Sequence, residues 1–138
     1  MNRADLQGLA ELRIQEAKLL LDNGFHQGAY YLAGYAVECA LKACIAKKTR
    51  AHDFPDKELV QKLFTHDLEV LLRKAGLESE LLSDAEGNAT LERNWTLVKE
   101  WSEEARYSTA SLIPFAEELF SAIIDPESGV LTWLKKRW

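Results

Sequence analysis

The feature that most constrains the fold is a nearly continuous apolar segment at residues 29–48, which reads AYYLAGYAVECALKACIAKK. Its alanines recur at three- and four-residue steps, so on a helix they lie within about 40° of a common line. Such a seam of short side chains lets a neighbouring helix approach closely. Apolar residues flank the seam on both sides, which is typical of a helix buried at the centre of a bundle. The seam consists of Ala29, Ala33, Ala36, Ala40 and Ala43.

Apolar residues at helical spacing also mark the rest of the chain, with Gly, Asn and Pro between the periodic stretches. An Asn-Gly step should stop the first helix, Thr65 should cap the third main helix, and Asp125-Pro126 should start the last one. The pattern predicts helices over residues 4–22, 25–48, 66–74, 89–106, 115–124 and 127–138, with short helical pieces near 57–64 and 77–82 and a break at 83–88.

This order of elements predicts an all-α fold. The chain has 138 residues with only seven Gly and three Pro, and no stretch alternates as a strand does. We expect one domain over residues 1–138, built as an up-and-down four- to five-helix bundle with a short extra C-terminal helix.

The charge balance restricts the partners. A net charge of −5 argues against broad, non-specific nucleic-acid binding, which needs Lys and Arg against phosphates. Glu38 and Lys42 interrupt the longest apolar run, which is too short for the ~20 apolar residues of a membrane span. The charged beginning of the sequence is unlike an export signal. We therefore expect a cytoplasmic protein without a membrane partner.

No familiar catalytic or cofactor motif occurs in the sequence. Cys39 and Cys44 cannot bridge each other from one helix, and their spacing matches no zinc pattern, so we expect buried, reduced thiols. A Gly-rich phosphate loop, a nucleophile elbow and a paired-carboxylate motif are all absent. We predict no cofactor, no metal and no catalytic residue.

Glu38 and Lys42 are the polar exceptions on the central helix. They form either an ordinary surface ion pair worth a few tenths of a kcal/mol, or a largely buried carboxylate that needs a cation from another helix. Arg106 is the first choice for that cation and Arg13, which falls within the apolar stripe of the first helix, is the second. The same residues are candidates for binding a ligand.

The central helix also carries a pattern that resembles the HEPN domain family, the higher eukaryotes and prokaryotes nucleotide-binding domain. His66-Asp67-Leu68 at a helix start and Ala105-Arg106-Tyr107 after an amphipathic helix are similar to that family too. The pattern reads Tyr30-x-x-Ala33-Gly34-Tyr35-Ala36-Val37-Glu38-x-x-Leu41-Lys42-Ala43.

The resemblance implies a four- or five-helix bundle that is usually a homodimer. Many members of the family are encoded beside a minimal nucleotidyltransferase, and others act as ribonuclease toxins. The ribonucleases carry an Arg followed, four to six residues later, by a His. This chain has no such pair, since Arg50 precedes His52 by two positions and neither Arg93 nor Arg106 has a later His.

Arg106 and Tyr107 could offer a guanidinium and a stacking ring to a nucleotide, or could cap their helix and pack against Glu38. Adjacent His66 and Asp67 point about 100° apart on a helix, so capping is the simpler role for them. They are secondary candidates for a ligand site, together with Arg13.

The tryptophans indicate where the chain buries surface. Trp95 and Trp101 lie on the apolar face of their helix and belong to the core. Trp133 and Trp138 make the last segment apolar, and that segment must cover either its own bundle or a second subunit. With the resemblance, this favours a homodimer.

The leading hypothesis is a non-enzymatic interaction module that pairs with a minimal nucleotidyltransferase in a toxin–antitoxin-like system. One alternative is a metal-independent ribonuclease that uses Arg106 with a displaced base such as His66. A third hypothesis is a regulatory subunit that binds a nucleotide or RNA without catalysis.

Overall fold

The computed structural model describes residues 1–50, 65–107 and 111–138, without the side chains of Arg50 and Arg106. These residues form seven α-helices and one 3-10 helix, with no strand among them. The α-helices are α1 (Arg3–Asp22), α2 (His26–Arg50), α3 (Leu68–Lys74), α4 (Glu78–Glu86), α5 (Ala89–Val98), α6 (Ile113–Ile124) and α7 (Val130–Lys135), and the 3-10 helix is Glu103–Tyr107.

Local sequence sets both ends of α1. Asn2 and Asp5 form a reciprocal capping box, in which each side chain accepts a hydrogen bond from the other's backbone N–H. Gly24 follows the helix with φ +83°, a conformation that costs a residue without Cβ little. The predicted stop at Asn23-Gly24 is therefore confirmed, and α2 begins two residues later.

Helix α2 is the centre of the bundle, as the alanine seam predicts. It contacts α1, α3, the 3-10 helix, α6 and α7, and its pairing with α1 is the most extensive in the fold. The short side chains of the seam let these neighbours approach closely. All members of the seam are buried, namely Ala29, Ala33, Ala36, Ala40 and Ala43.

The region around α3 and α4 differs from the prediction in detail. Asp67, and not Thr65, is the N-cap of α3: its carboxylate accepts from the backbone N–H of Glu69 and Val70. Helix α4 continues through most of the stretch predicted as a break. It does so because Leu81 and Ala85, four residues apart, bury one common face. The helical piece predicted at 57–64 lies outside the described residues.

Helix α5 ends at Val98, eight residues before its predicted end. The chain turns after α5, and the backbone N–H of Trp101 donates a hydrogen bond to the carbonyl oxygen of Val98 at 3.1 Å. This turn directs the indole onto Gly34, where an added Cβ would overlap the ring. Packing of one large side chain against the central helix thus outweighs the helical periodicity of the sequence.

The C-terminal segment covers its own bundle. Trp133 and Leu134 are buried in the core, and the indole N–H of Trp133 donates to the carboxylate of Asp84 at 2.8 Å. Arg137 lies over the Trp133 ring, with its guanidinium carbon 3.6 Å from the ring centroid. Of the two predicted alternatives for this segment, coverage of its own bundle is therefore the one observed.

The last helix is shorter than the predicted 127–138, because Asp125 caps a turn rather than a helix. Its carboxylate accepts from the backbone N–H of Ser128 at 2.6 Å, and α7 begins only at Val130. The all-α bundle itself is confirmed. Within the described ranges, no helix is long and apolar enough to cross a membrane.

Candidate functional site

Glu38, on the central helix, is one of the two buried polar or charged side chains in the described part of the chain, with 1% of its surface exposed. Each of its carboxylate oxygens has a partner. Oε2 accepts from the Lys42 ammonium at 3.0 Å, and Oε1 lies 2.7 Å from Nδ1 of His66. A buried carboxylate is expensive unless it is paired, and these two donors meet that requirement.

Two elements position this group. Glu38 and Lys42 are four residues apart on α2, so they lie one above the other on the same edge of the helix. His66 immediately precedes Asp67, the N-cap of α3. The buried side chains of that helix, Leu68, Leu71 and Leu72, anchor it in the core. The Glu38–His66 contact therefore joins two elements that are each fixed by packing.

Of the two cations predicted for Glu38 from another helix, Arg13 is not its partner. Arg13 instead pairs with Glu16 on its own helix, and its guanidinium lies 5.8 Å from the centroid of the Tyr35 ring. Arg13 thus reaches a carboxylate at the bundle surface, with 27% of its side chain exposed. The side chain of Arg106, the first choice, lies outside the described residues.

Aromatic and thiol groups line the same edge of α2. The rings of Tyr31 and Tyr35 are 6.0 Å apart, and Tyr31 also stacks on Trp101 with 6.2 Å between centroids. Burial raises the pKa of Tyr35. Burial, helped by the nearby charge of Glu38, raises the pKa of the Cys39 thiol to about 11. The buried thiol of Cys39 is therefore protonated at neutral pH, which is the less nucleophilic of its two forms.

The remaining predicted site residues are not all brought to this edge. Asp67 serves as the cap of α3, which is the role predicted for it. Tyr107 ends the 3-10 helix with 73% of its surface exposed. The structure brings together Glu38, Lys42 and His66.

The contact between His66 and Glu38 is the part of the site that the sequence alone does not reveal. His66 was predicted as a cap, and 28 residues separate it from the carboxylate. Its side chain is 41% exposed, and Nε2 has no hydrogen-bond partner among the described residues. The sequence gives one hint of this contact. Glu38 lies among apolar residues on its helix, so it needs a partner, but the sequence does not identify that partner.

Binding of a metal ion finds no support in the described residues, which hold no group of three or more His, Cys, Asp or Glu side chains suited to it. Both thiols are buried and free. The pairing at Glu38 is thus one of hydrogen bonds and opposite charges within the chain.

The comparison with protein families gives one decisive match. A sequence model of the HEPN domain matches residues 5–138, nearly the whole chain. The chain belongs to the HEPN domain family. This confirms the resemblance seen on the central helix, and the helical bundle agrees with the HEPN fold. Comparison with curated proteins and with solved structures gives no match.

The family-like pattern on α2 can be described in this chain by what its residues contact. Gly34 is the position against which Trp101 packs, and Glu38 is the carboxylate that receives Lys42 and His66. The small residues between them belong to the seam. The HEPN pattern on this helix therefore combines one close approach, one packed seam and one buried charge.

Proposed function

We propose that this HEPN domain is a non-catalytic, homodimeric, single-domain interaction module whose partner is a minimal nucleotidyltransferase, in a pair of the toxin–antitoxin kind. The family supplies the partner class, since HEPN domains often accompany nucleotidyltransferases. The chain's own residues supply the argument against catalysis.

The observation that carries this proposal is the pairing of both Glu38 oxygens within the chain. Both of its oxygens are occupied by Lys42 and His66, so the buried charge is neutralised without a ligand. A phosphate-cleaving site needs a cation directed at the scissile group as well as a base. Lys42 is instead committed to the carboxylate, and the Arg–His spacing of the ribonuclease members is absent from the sequence.

Co-expression with a minimal nucleotidyltransferase from the same genome tests the partner. We expect the two chains to co-elute from an affinity column and then from gel filtration as one species of defined stoichiometry. A matched control uses an unrelated helical bundle of similar size in place of the HEPN chain. Separate elution of the two chains at tens of micromolar would refute the partner assignment.

The homodimer is tested on the isolated chain. The chain has a mass of 15.7 kDa, so light scattering after gel filtration should give twice that value. A monomer at tens of micromolar would remove this part of the proposal and leave the partner assignment standing.

Nucleotide or RNA binding is the competing function. Titration with ATP, GTP and short RNA, followed by Trp fluorescence and thermal melting, should leave the protein unchanged at millimolar ligand. Cleavage of RNA that disappears in both Arg106→Ala and His66→Gln would replace the proposal with the ribonuclease. A ligand-dependent melting shift without cleavage would replace it with a regulatory nucleotide-binding role.

A further inference from the structure

The imidazole of His66 has a geometry that an interaction module does not require. Its Nδ1 lies 2.7 Å from a carboxylate oxygen of Glu38, which is itself 1% exposed. The side chain of His66 as a whole is 41% exposed, and Nε2 has no partner among the residues described. One nitrogen is thus held by a buried carboxylate, while none of the described residues engages the other.

This arrangement fixes the chemistry of the outer nitrogen. A carboxylate accepts a hydrogen bond and cannot donate one, so the proton of the neutral ring resides on Nδ1 and the lone pair on Nε2. The carboxylate also stabilises the positive charge that the ring acquires when Nε2 forms a new bond. An imidazole in this state is prepared to act as a nucleophile.

The surrounding charges allow an anionic reactant to approach. Lys42 neutralises Glu38, and Glu16 is in turn paired with Arg13 on the neighbouring helix. One carboxylate oxygen of Asp67, Oδ1, accepts from two backbone N–H groups of α3, which directs this charge at the start of the helix. The ammonium of Lys42 weakens the repulsion that the charge of Glu38 exerts on a phosphate-bearing donor.

We propose that His66 is a phosphoryl-accepting residue, modified at Nε2 by a small phosphorylated donor. The lone pair of Nε2 attacks phosphorus, the bond from phosphorus to the leaving group breaks, and the leaving group departs with that electron pair. The Nδ1 proton stays on the ring and continues to donate to Glu38. This inference goes beyond the interaction role and does not depend on the identity of the partner.

His26 provides an internal comparison. Its Nδ1 also has a partner, the carbonyl oxygen of Gly24 at 3.0 Å, and its side chain lies at the surface. A neutral carbonyl group orients the ring, but it carries no negative charge to stabilise the positive charge that the ring acquires when Nε2 reacts. Exposure alone therefore predicts similar reactivity for the two histidines, whereas the Glu38 contact predicts that His66 reacts faster.

Potassium phosphoramidate is the probe, because it phosphorylates histidine directly and releases ammonia that carries the hydrogens already present on its nitrogen. The protein is prepared with His52→Gln, so that only His26 and His66 remain. Intact-mass spectrometry follows the added phosphate, and long-range ¹H–¹⁵N spectra identify the phosphorylated ring nitrogen. His66→Gln assigns the site.

We expect His66 to be phosphorylated at Nε2 about tenfold faster than His26, and Glu38→Gln to remove that difference. Spectra of the unreacted protein should show the proton of His66 on Nδ1, which needs no variant and holds even if Glu38→Gln folds poorly. Equal rates at the two histidines, phosphate on Nδ1, or a proton on Nε2 before reaction would each overturn the proposal.

Discussion

The indole of Trp101 lies directly against the backbone of Gly34, and its Nε1 donates a hydrogen bond to the carbonyl oxygen of Tyr30 at 3.2 Å. The contact is possible because Gly34 lacks a Cβ. It also explains why α5 ends before Trp101, since a continuous helix would direct this side chain elsewhere. One glycine and one tryptophan thus fix how the second half of the chain meets the central helix.

Gly34→Ala should destabilise the protein by about 1–3 kcal/mol, because the new methyl group overlaps the Trp101 ring and overpacking costs that much in a core. The better helix propensity of alanine, worth about 1 kcal/mol, is outweighed. Urea unfolding measures the change. Gly8→Ala is the matched control on α1, where a Cβ meets nothing within 4 Å, so that variant should be slightly more stable than wild type.

Lys42→Ala should lower the free energy of unfolding by about 2–3 kcal/mol, because it removes one hydrogen bond to a buried charge and leaves His66 as the one remaining described donor. Lys18→Ala is the control, since Lys18 forms a comparable pair with Asp22 in which both side chains are more than half exposed. That change should cost less than about 0.5 kcal/mol. Equal losses in the two variants would mean that Glu38 is not desolvated.

Arg137→Ala should loosen the C-terminal segment. The guanidinium stacks on Trp133 and lies 2.9 Å from Glu80 and 3.2 Å from Asp84, so its removal ends a cation–π contact and two ion pairs. We expect a loss of about 1–2 kcal/mol and faster amide exchange in α7. Lys136→Ala, an exposed neighbour, should change neither quantity; an equal effect would assign the loss to net charge alone.

The two cysteines should be unreactive in the native protein. Burial raises the pKa of both Cys39 and Cys44 to about 11, so almost no thiolate is present at pH 8. We expect Ellman's reagent to react with two thiols in urea and with neither, over the same minutes, in buffer. Rapid native labelling of Cys39 would contradict its burial against Glu38.

The same shift predicts a dependence of stability on pH. A free thiol in the unfolded chain ionises near pH 8.5, whereas the folded thiols stay protonated to about 11. Above pH 8.5 the folded state therefore binds more protons than the unfolded state. The contribution of the two thiols to the free energy of unfolding is therefore fully present below pH 8.5, and it is lost as the pH rises toward 11. The double variant Cys39→Ala and Cys44→Ala should lose this part of the slope.

Much of the first half of the fold follows from local patterns. The ends of α1 come from Asn2 and Gly24, which act on their own neighbouring backbone. In the second half, α5 ends early because of Trp101, and the turn at Asp125 replaces a predicted helix start. These departures share a cause, because each depends on a partner or a turn that the helical period does not encode.

The candidate site divides in the same way. That Glu38 needs a partner follows from its place on an apolar helix, since burial of an unpaired charge is prohibitive. Which residue becomes the partner of Glu38 depends on how α3 packs against α2. Neither composition nor the spacing of residues along the sequence predicts that packing. The sequence therefore predicts a capping role for His66, whereas the packing of the bundle places its ring against Glu38.

The sequence by itself determined that residues 29–48 form the centre of a helical bundle, because a helix that is apolar almost all round can be stable only when it is buried. It also determined the family, whose sequence model matches residues 5–138. Only the tertiary structure decided that His66 meets Glu38 and that Trp101 meets Gly34. Periodicity fixes which face of a helix is buried, but contacts between distant residues depend on how the helices pack.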